Sequence, residues 1–273
     1  MVKQTLNGIT FEMTESYDFS FLSRYGSVFQ VFDDQDSGNI CFGVKDAKGV
    51  RRFVKYAGAM TKRGSITPQK AVENLHRTEA LYRDLAHPVL IRLQDVFDTQ
   101  DGLGMVFAWE DGDCMGRMYP EAHARFCALP QEDHLRVFDD VMAFLAHTAK
   151  NGYVAVDFYD GSVMYDAVRS KTTICDIDFF RKGPFVNDMG RMWGSSRFMS
   201  PEEFELGAQI DEITNVYTLG AFAFALFGGY SRERSDWILS GKKYQTAVKA
   251  VSNDRAQRQQ SIAQFIREWN NMG

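Results

Sequence analysis

The chain has 273 residues, 45% of them hydrophobic and 25% charged, which is enough apolar material for one large domain or two lobes. A formal net charge of −5 argues against nucleic acid and anionic membrane surfaces as partners. The start, MVKQTLNGIT, lacks the layout of a signal peptide, and the longest apolar run, GAFAFALFGG (220–229), is too short to cross a bilayer, so the expectation is a cytoplasmic protein with no membrane partner. The cysteines at 41, 114, 127 and 175 form neither a C-x-x-C pair nor a metal-ligand spacing. They read as reduced, mostly buried thiols.

The first elements read as strands: SVFQVF (27–32), NICFGV (39–44) and VRRFVKY (50–56), separated by turn chemistry at DDQDSG and DAKG. A helix opens at Thr67-Pro68, a favourable cap followed by proline at the first helical position. Its apolar stripe is predicted at Val72, Leu75, Tyr82 and Ala86, with Glu79 among them. After His87-Pro88 come two more strand-like segments, LIRLQDVFD and LGMVFAW, and the EDGD run at 110–113 marks a boundary between an N-terminal part, 1–110, and a C-terminal part, 111–273. Beyond it, residues 132–150 carry a helical stripe that Asn151-Gly152 ends. VYTLGAFAFALF (216–227) is apolar nearly all round and belongs at the centre of a domain.

Against this background a few polar residues stand out. A carboxylate on an apolar stripe needs a cation or a shifted pKa; Lys55, on the strand before the helix, is the obvious partner for Glu79, which could otherwise lie at the stripe's edge and reach water. VAVDFYDGSVMYD (154–166) is a strand-like entry followed by Asp157, Asp160 and Asp166. TICDIDFF (173–180) then places Asp176 and Asp178 in an apolar run. Each aspartate alone reads as a turn residue, but two short strands joined by a tight loop would bring Asp157 and Asp176 together, and paired carboxylates suit one base and one metal ligand.

Taken in order, these features resemble the protein-kinase-like superfamily over nearly the whole chain, nearest to a eukaryotic-like Ser/Thr protein kinase of bacterial type with divergent motifs. Lys55 is similar to the strand lysine that holds nucleotide phosphates, Glu79 to its partner on the αC helix, and VFAWEDGD to the hinge. Asp157 matches the aspartate of H-R-D, and Asp176, nineteen residues on, that of D-F-G. GSSRFMSPEEF (194–204) resembles the stretch ending in A-P-E, TNVYTLG (214–220) the start of the central αF helix, and Arg258 the late arginine that pairs with the A-P-E glutamate, here Glu202. The resemblance implies an α+β, bilobal fold: a small antiparallel sheet with one αC helix, then a mainly helical C-lobe. It further implies ATP and Mg2+ as cofactors and a protein or peptide substrate. Asp157, Lys55 and Glu79 would be catalytic, Gly38, Lys55, Phe107 and Trp109 nucleotide-binding, and Asp176, Ser162 and Asp178 metal-binding.

The sequence also departs from that pattern. Asp33 and Gln35 replace the earlier glycines of the phosphate loop, leaving Gly38 seventeen residues before Lys55; an alternative register uses Gly26 with Lys45. Phe53 falls where kinases keep a small alanine above the adenine. Ala155 and Val156 stand for His and Arg, Tyr159 for the catalytic-loop lysine, Ser162 for the metal-binding Asn, Asp178 for the glycine of D-F-G, and Asn215 for the αF aspartate. Lys55 is expected at a partly exposed strand position, and alternation is expected to turn Asp176 and Asp178 to one face. Three activities fit: protein Ser/Thr kinase, small-molecule phosphotransferase of the aminoglycoside or choline kinase type, and a pseudokinase that binds nucleotide or a partner.

Overall fold

The computed structural model describes residues 1–35, 37–64 and 66–271. They form two compact units, one made of residues 1–86 and 91–110, the other of residues 87–90 and 111–273.

The first unit is rich in β-structure. Strands β1 (Val2–Leu6) and β2 (Ile9–Met13) form an antiparallel hairpin whose tip, Asn7-Gly8, has φ values of 49° and 86°. This is the positive-φ pair that two-residue hairpin turns require and that Asn-Gly supplies. It lies in the segment for which the sequence reading assigned no structure. Five further strands, β3 (Ser27–Phe32), β4 (Asn39–Lys45), β5 (Arg51–Ala57), β6 (Leu93–Asp98) and β7 (Leu103–Ala108), make one antiparallel sheet in the order β3-β4-β5-β7-β6.

Period-two alternation divides the residues of this sheet between two faces. Val28, Ile40, Phe42, Val44, Val54, Tyr56 and Val106 pack with Phe11, Met13, Phe19 and Leu22 from the N-terminal segment into one core. The opposite face carries Cys41, Gly43, Phe53, Lys55, Met105 and Phe107, and helix α1 (Pro68–Asp84) lies against it, with the Tyr82 ring 4.8 Å from that of Phe107. Thr67 caps α1 by accepting the Lys70 N–H, and Pro68 stands at its start, as the sequence predicts. The buried stripe, however, runs through Ala71, Leu75, Thr78 and Tyr82. It is displaced by one position from the expected one at Val72 and Glu79, which places Glu79 on the flank.

The second unit is mainly helical. It contains α2 (Pro120–Cys127), α3 (Gln131–Lys150), α4 (Glu212–Phe227), α5 (Gly241–Ala250) and α6 (Ile262–Asn270), with short strands β8 (Asp113–Cys114), β9 (Tyr153–Val154), β10 (Val163–Asp166), β11 (Lys171–Ile174), β12 (Arg181–Lys182), β13 (Phe185–Val186) and β14 (Gln209–Ile210). Every residue of α4 from Thr214 to Phe227 is buried, which realises the central helix that its all-round apolarity predicts. Asp211 caps it by accepting the Ile213 N–H at 2.8 Å. Around its C-terminal end, Phe227 and Trp269 both pack against Phe138. A β-rich N-terminal part and a helical C-terminal part are compatible with a kinase-like fold. No helix among the described residues is long and apolar enough to cross a membrane. None of the four cysteines is in a disulfide; Cys41 and Cys114 are buried, but Cys127 is exposed, contrary to expectation, because it ends the short α2 at the surface.

Candidate active site

The site residues of the first unit are placed by strand register. Lys55 lies in the middle of β5, opposite Cys41 on β4 and Met105 on β7. At 9% exposure it is more deeply set than the sequence reading expects, because a central strand under α1 leaves little of that face to solvent. Lys45 is an exposed residue at the end of β4, and Gly26 precedes β3 rather than the β3–β4 turn. Gly38 lies in the β3–β4 turn and Lys55 on the strand that follows β4.

The β3–β4 turn is tied down on its own unit. Asp33 accepts the Glu12 N–H at 2.8 Å, Asp34 pairs with Arg63 at 2.7 Å, and Lys62 lies 3.7 to 3.9 Å from both aspartates. Gly38 adopts φ +79°, and a Cβ there would come within 2.9 Å of the Ile66 side chain. Here glycine is needed for conformation and for close packing together. Aromatic rings crowd the face near Lys55. Phe29 and Trp109 meet at 4.9 Å across Gly43, where a Cβ would lie 2.7 Å from one ring and 2.9 Å from the other. Phe53 sits between Phe32 and Phe107, at 5.8 and 6.3 Å. The cation at Glu79 is Arg83, one turn on in α1, which donates from Nε at 3.0 Å and Nη2 at 2.7 Å. This corrects the expected pairing of Glu79 with Lys55: a carboxylate on the helix flank reaches the i+4 position more readily than a strand beneath the helix.

The second unit holds its residues by loop geometry. Asp157 and Asp176 both have left-handed backbones, with φ of 56° and 58°. Such conformations cost about 1–3 kcal/mol at non-glycine residues and persist where the surroundings over-determine them. Asn215, 1% exposed on α4, accepts the Ala155 N–H with Oδ1 and donates Nδ2–H to the Ala155 carbonyl, both at 2.8 Å. It braces the loop two residues before Asp157. Tyr159 feels the same carboxylates: burial, then the charges of Asp157, Asp176 and Asp160, hold its hydroxyl protonated well above the ordinary tyrosine range.

Strand β11 stops at Ile174. The left-handed turn at Asp176 breaks the alternation that was expected to align Asp176 with Asp178, so their joint orientation is not a strand property. Among the described residues no group of three or more His, Cys, Asp or Glu forms a metal site. Ser162 is 1% exposed and its Oγ has no hydrogen-bond partner among the described residues, which leaves its lone pairs available as a neutral donor. Asp166 is a turn residue that accepts the N–H groups of Val168 and Arg169.

The expected Glu202–Arg258 pair is present and buried. Arg258 donates Nη1 to Oε1 at 2.7 Å and Nη2 to Oε2 at 2.9 Å. Arg255, which the sequence reading passed over, adds a bond to Glu202 at 2.8 Å and two more to Asp211. Burial, the largest single effect, opposes ionisation of Glu202, but the Arg258 bond, a backbone bond and the charges of Arg258 and Arg255 together outweigh it and keep the carboxyl below its usual range. Glu203 next to it is pushed up to about 7 by burial, although Ser200 N–H and O–H both donate to it. A further cluster escaped the sequence reading. Asp160, 0% exposed, accepts from Arg197 at 3.0 Å and from the Tyr230 hydroxyl at 2.6 Å. The signal was an aspartate and an arginine in motifs already singled out, but nothing in their spacing reveals that they meet.

No family model matches the chain. Over 229 residues, 82% of its length, it is 23% identical to the serine/threonine-protein kinase SAPK2 of Oryza sativa subsp. indica, and equally to that of subsp. japonica. The chain aligns with 64% of the length of these curated relatives. This likeness supports a place in the protein-kinase-like superfamily and, at that level, a kinase-like transferase.

Proposed function

We propose that this protein transfers the γ-phosphoryl group of ATP to a Ser or Thr hydroxyl of a protein substrate, as a divergent kinase of bacterial type. The observation that carries the reading is the ordered set of Lys55 on the central strand, Asp157 on a strained loop braced by Asn215, and Asp176 on a second strained turn. Phosphoryl transfer is mostly positioning and charge stabilisation. Lys55 would hold phosphate oxygens; Asp157, fixed through Ala155 and Asn215, would orient the acceptor hydroxyl and take its proton. Asp176 and the Ser162 hydroxyl would hold magnesium, which when bound neutralises phosphate charge. Asp178 and Glu79 have secondary places in this reading, Glu79 once released from Arg83. Phe107 and Trp109, with Phe53, would line the base. A protein acceptor is preferred over a small molecule because Glu202, Arg255 and Arg258 anchor the 194–204 segment, which resembles the peptide platform of protein kinases.

A second reading is favoured by the aromatic crowding around Gly43 and by the acidic, tethered β3–β4 turn. The first leaves less room for a nucleotide and the second sets carboxylates where a phosphate loop would offer bare backbone, as in a pseudokinase. Thermal-shift titration with ATP and magnesium, followed by radiolabel transfer to a Ser/Thr peptide library, tests the two. Transfer that Lys55→Met abolishes without loss of fold supports the kinase. Stabilisation without transfer supports the pseudokinase, and neither response removes nucleotide from the function.

A further inference from the structure

Within the second unit, two guanidinium groups converge on one phenol. Arg117, between β8 and α2, lies 3.9 Å above the Tyr230 ring; Arg197 lies 5.4 Å from the same ring and reaches past it to Asp160. The single carboxylate, fully buried, is already engaged by Arg197 and the Tyr230 hydroxyl. Arg117 is exposed and, among the described residues, forms no ion pair. The Arg197 side chain remains 38% exposed. The cluster thus presents more positive than negative charge, in a protein whose net charge is −5. His123 stands beside it, 6.0 Å from the Tyr230 ring.

Two features show that this is a built arrangement. Tyr230 is held at φ 70°, a conformation uncommon for an aromatic residue, with its N–H bonded to the Phe224 carbonyl at 3.0 Å. That strained turn is what brings its ring under the two arginines. The second feature is location. Arg197 follows closely on Gly194, where a Cβ would lie 3.6 Å from the Asp157 Cα, so its segment touches the backbone of the proposed catalytic aspartate. Planar guanidinium groups are suited to carboxylates, which they bind bidentately.

We infer that Arg117 and Arg197, presented on Tyr230, form a recognition site for an acidic side chain of the polypeptide that enters beside Asp157. The inference rests on the kinase reading for the use of that polypeptide, but not for its binding. The site selects acceptor segments in which glutamate or aspartate neighbours the hydroxyl residue, and it disfavours lysine and arginine there.

The test is fluorescence anisotropy, without nucleotide, on three labelled serine peptides that differ only in flanking residues: glutamate, alanine or lysine. The full chain and Arg117→Glu are compared, since Arg117 is exposed and its reversal leaves the buried Asp160 cluster intact. The glutamate peptide is expected to bind tightest, its advantage to shrink at high salt, and the Arg117→Glu variant to lose roughly tenfold in affinity for it. Equal binding of the glutamate and lysine peptides, or a glutamate preference retained in Arg117→Glu, would overturn the inference. So would equally tight, Arg117-dependent binding of a short oligonucleotide, which would make the site a general polyanion patch. Transfer to lysine and glutamate peptides alike removes the selectivity and leaves the kinase reading standing. Charge-selective binding that depends on Arg117, with no transfer to any peptide, keeps the site and removes the kinase reading instead.

Discussion

The two units hold their chemistry in different ways. In the first, Lys55 sits where strand alternation and sheet order put it, and the same alternation puts Phe53 and Phe107 on its face. In the second, Asp157 and Asp176 sit at left-handed loop positions, and one of those loops is held by a single side chain, Asn215. A residue placed by register shares its support with a whole sheet. A residue placed by a braced loop depends on a few polar contacts, so local damage should be felt more sharply in the second unit.

The largest expected effect is on chemistry. Asp157→Asn should lower turnover by about 10²- to 10⁴-fold with nucleotide affinity little changed, as steady-state kinetics and ATP titration would measure; unchanged turnover would remove Asp157 from the mechanism. Next comes Glu202→Ala, which leaves Arg258 buried without its carboxylate and should cost about 3–5 kcal/mol in denaturant unfolding. If that loss is under one kcal/mol, the loops of this unit do not depend on their polar clamps, and the contrast between the units fails.

Glu203 gives the third prediction, in pH. Its carboxyl is raised to about 7 in the folded chain from an ordinary 4.5, so between these values the native state binds more protons than the unfolded state and stability falls as pH rises. The total is about 3 kcal/mol, on the scale of 1.36 kcal/mol per pKa unit. Glu203→Gln should flatten that part of the stability profile. A slope that survives the substitution belongs to another group.

The smallest effect is expected on α1 of the first unit. Arg83→Ala removes an i,i+4 ion pair and should cost only about 0.3–0.5 kcal/mol. If nucleotide affinity rises in this variant, Glu79 has a latent role at Lys55. If only stability changes, Glu79 is a surface residue of its helix.

How much of this was legible in the sequence follows the same division. Strands β3 to β7, the cap at Thr67 and the central α4 were readable because each is written as a local period or a local cap. The β1–β2 hairpin is readable too, since Asn7-Gly8 is a strong turn signal. The shift of the α1 stripe was not readable: Val72 and Ala71 are both apolar, and the sheet beneath decides which is buried. Glu202 and Arg258 could be paired only through resemblance, because 56 residues separate them. Arg255 and the Asp160–Arg197–Tyr230 cluster stayed hidden because polar contacts between distant loops leave no periodicity.

Asn215 carries one more consequence. An amide both gives and takes a hydrogen bond, and it fastens both polar groups of Ala155 without carrying a charge. A carboxylate in its place could receive the N–H but could offer nothing to the carbonyl, and at 1% exposure it would be an isolated buried anion. The hold on the Asp157 loop is therefore indifferent to acidity.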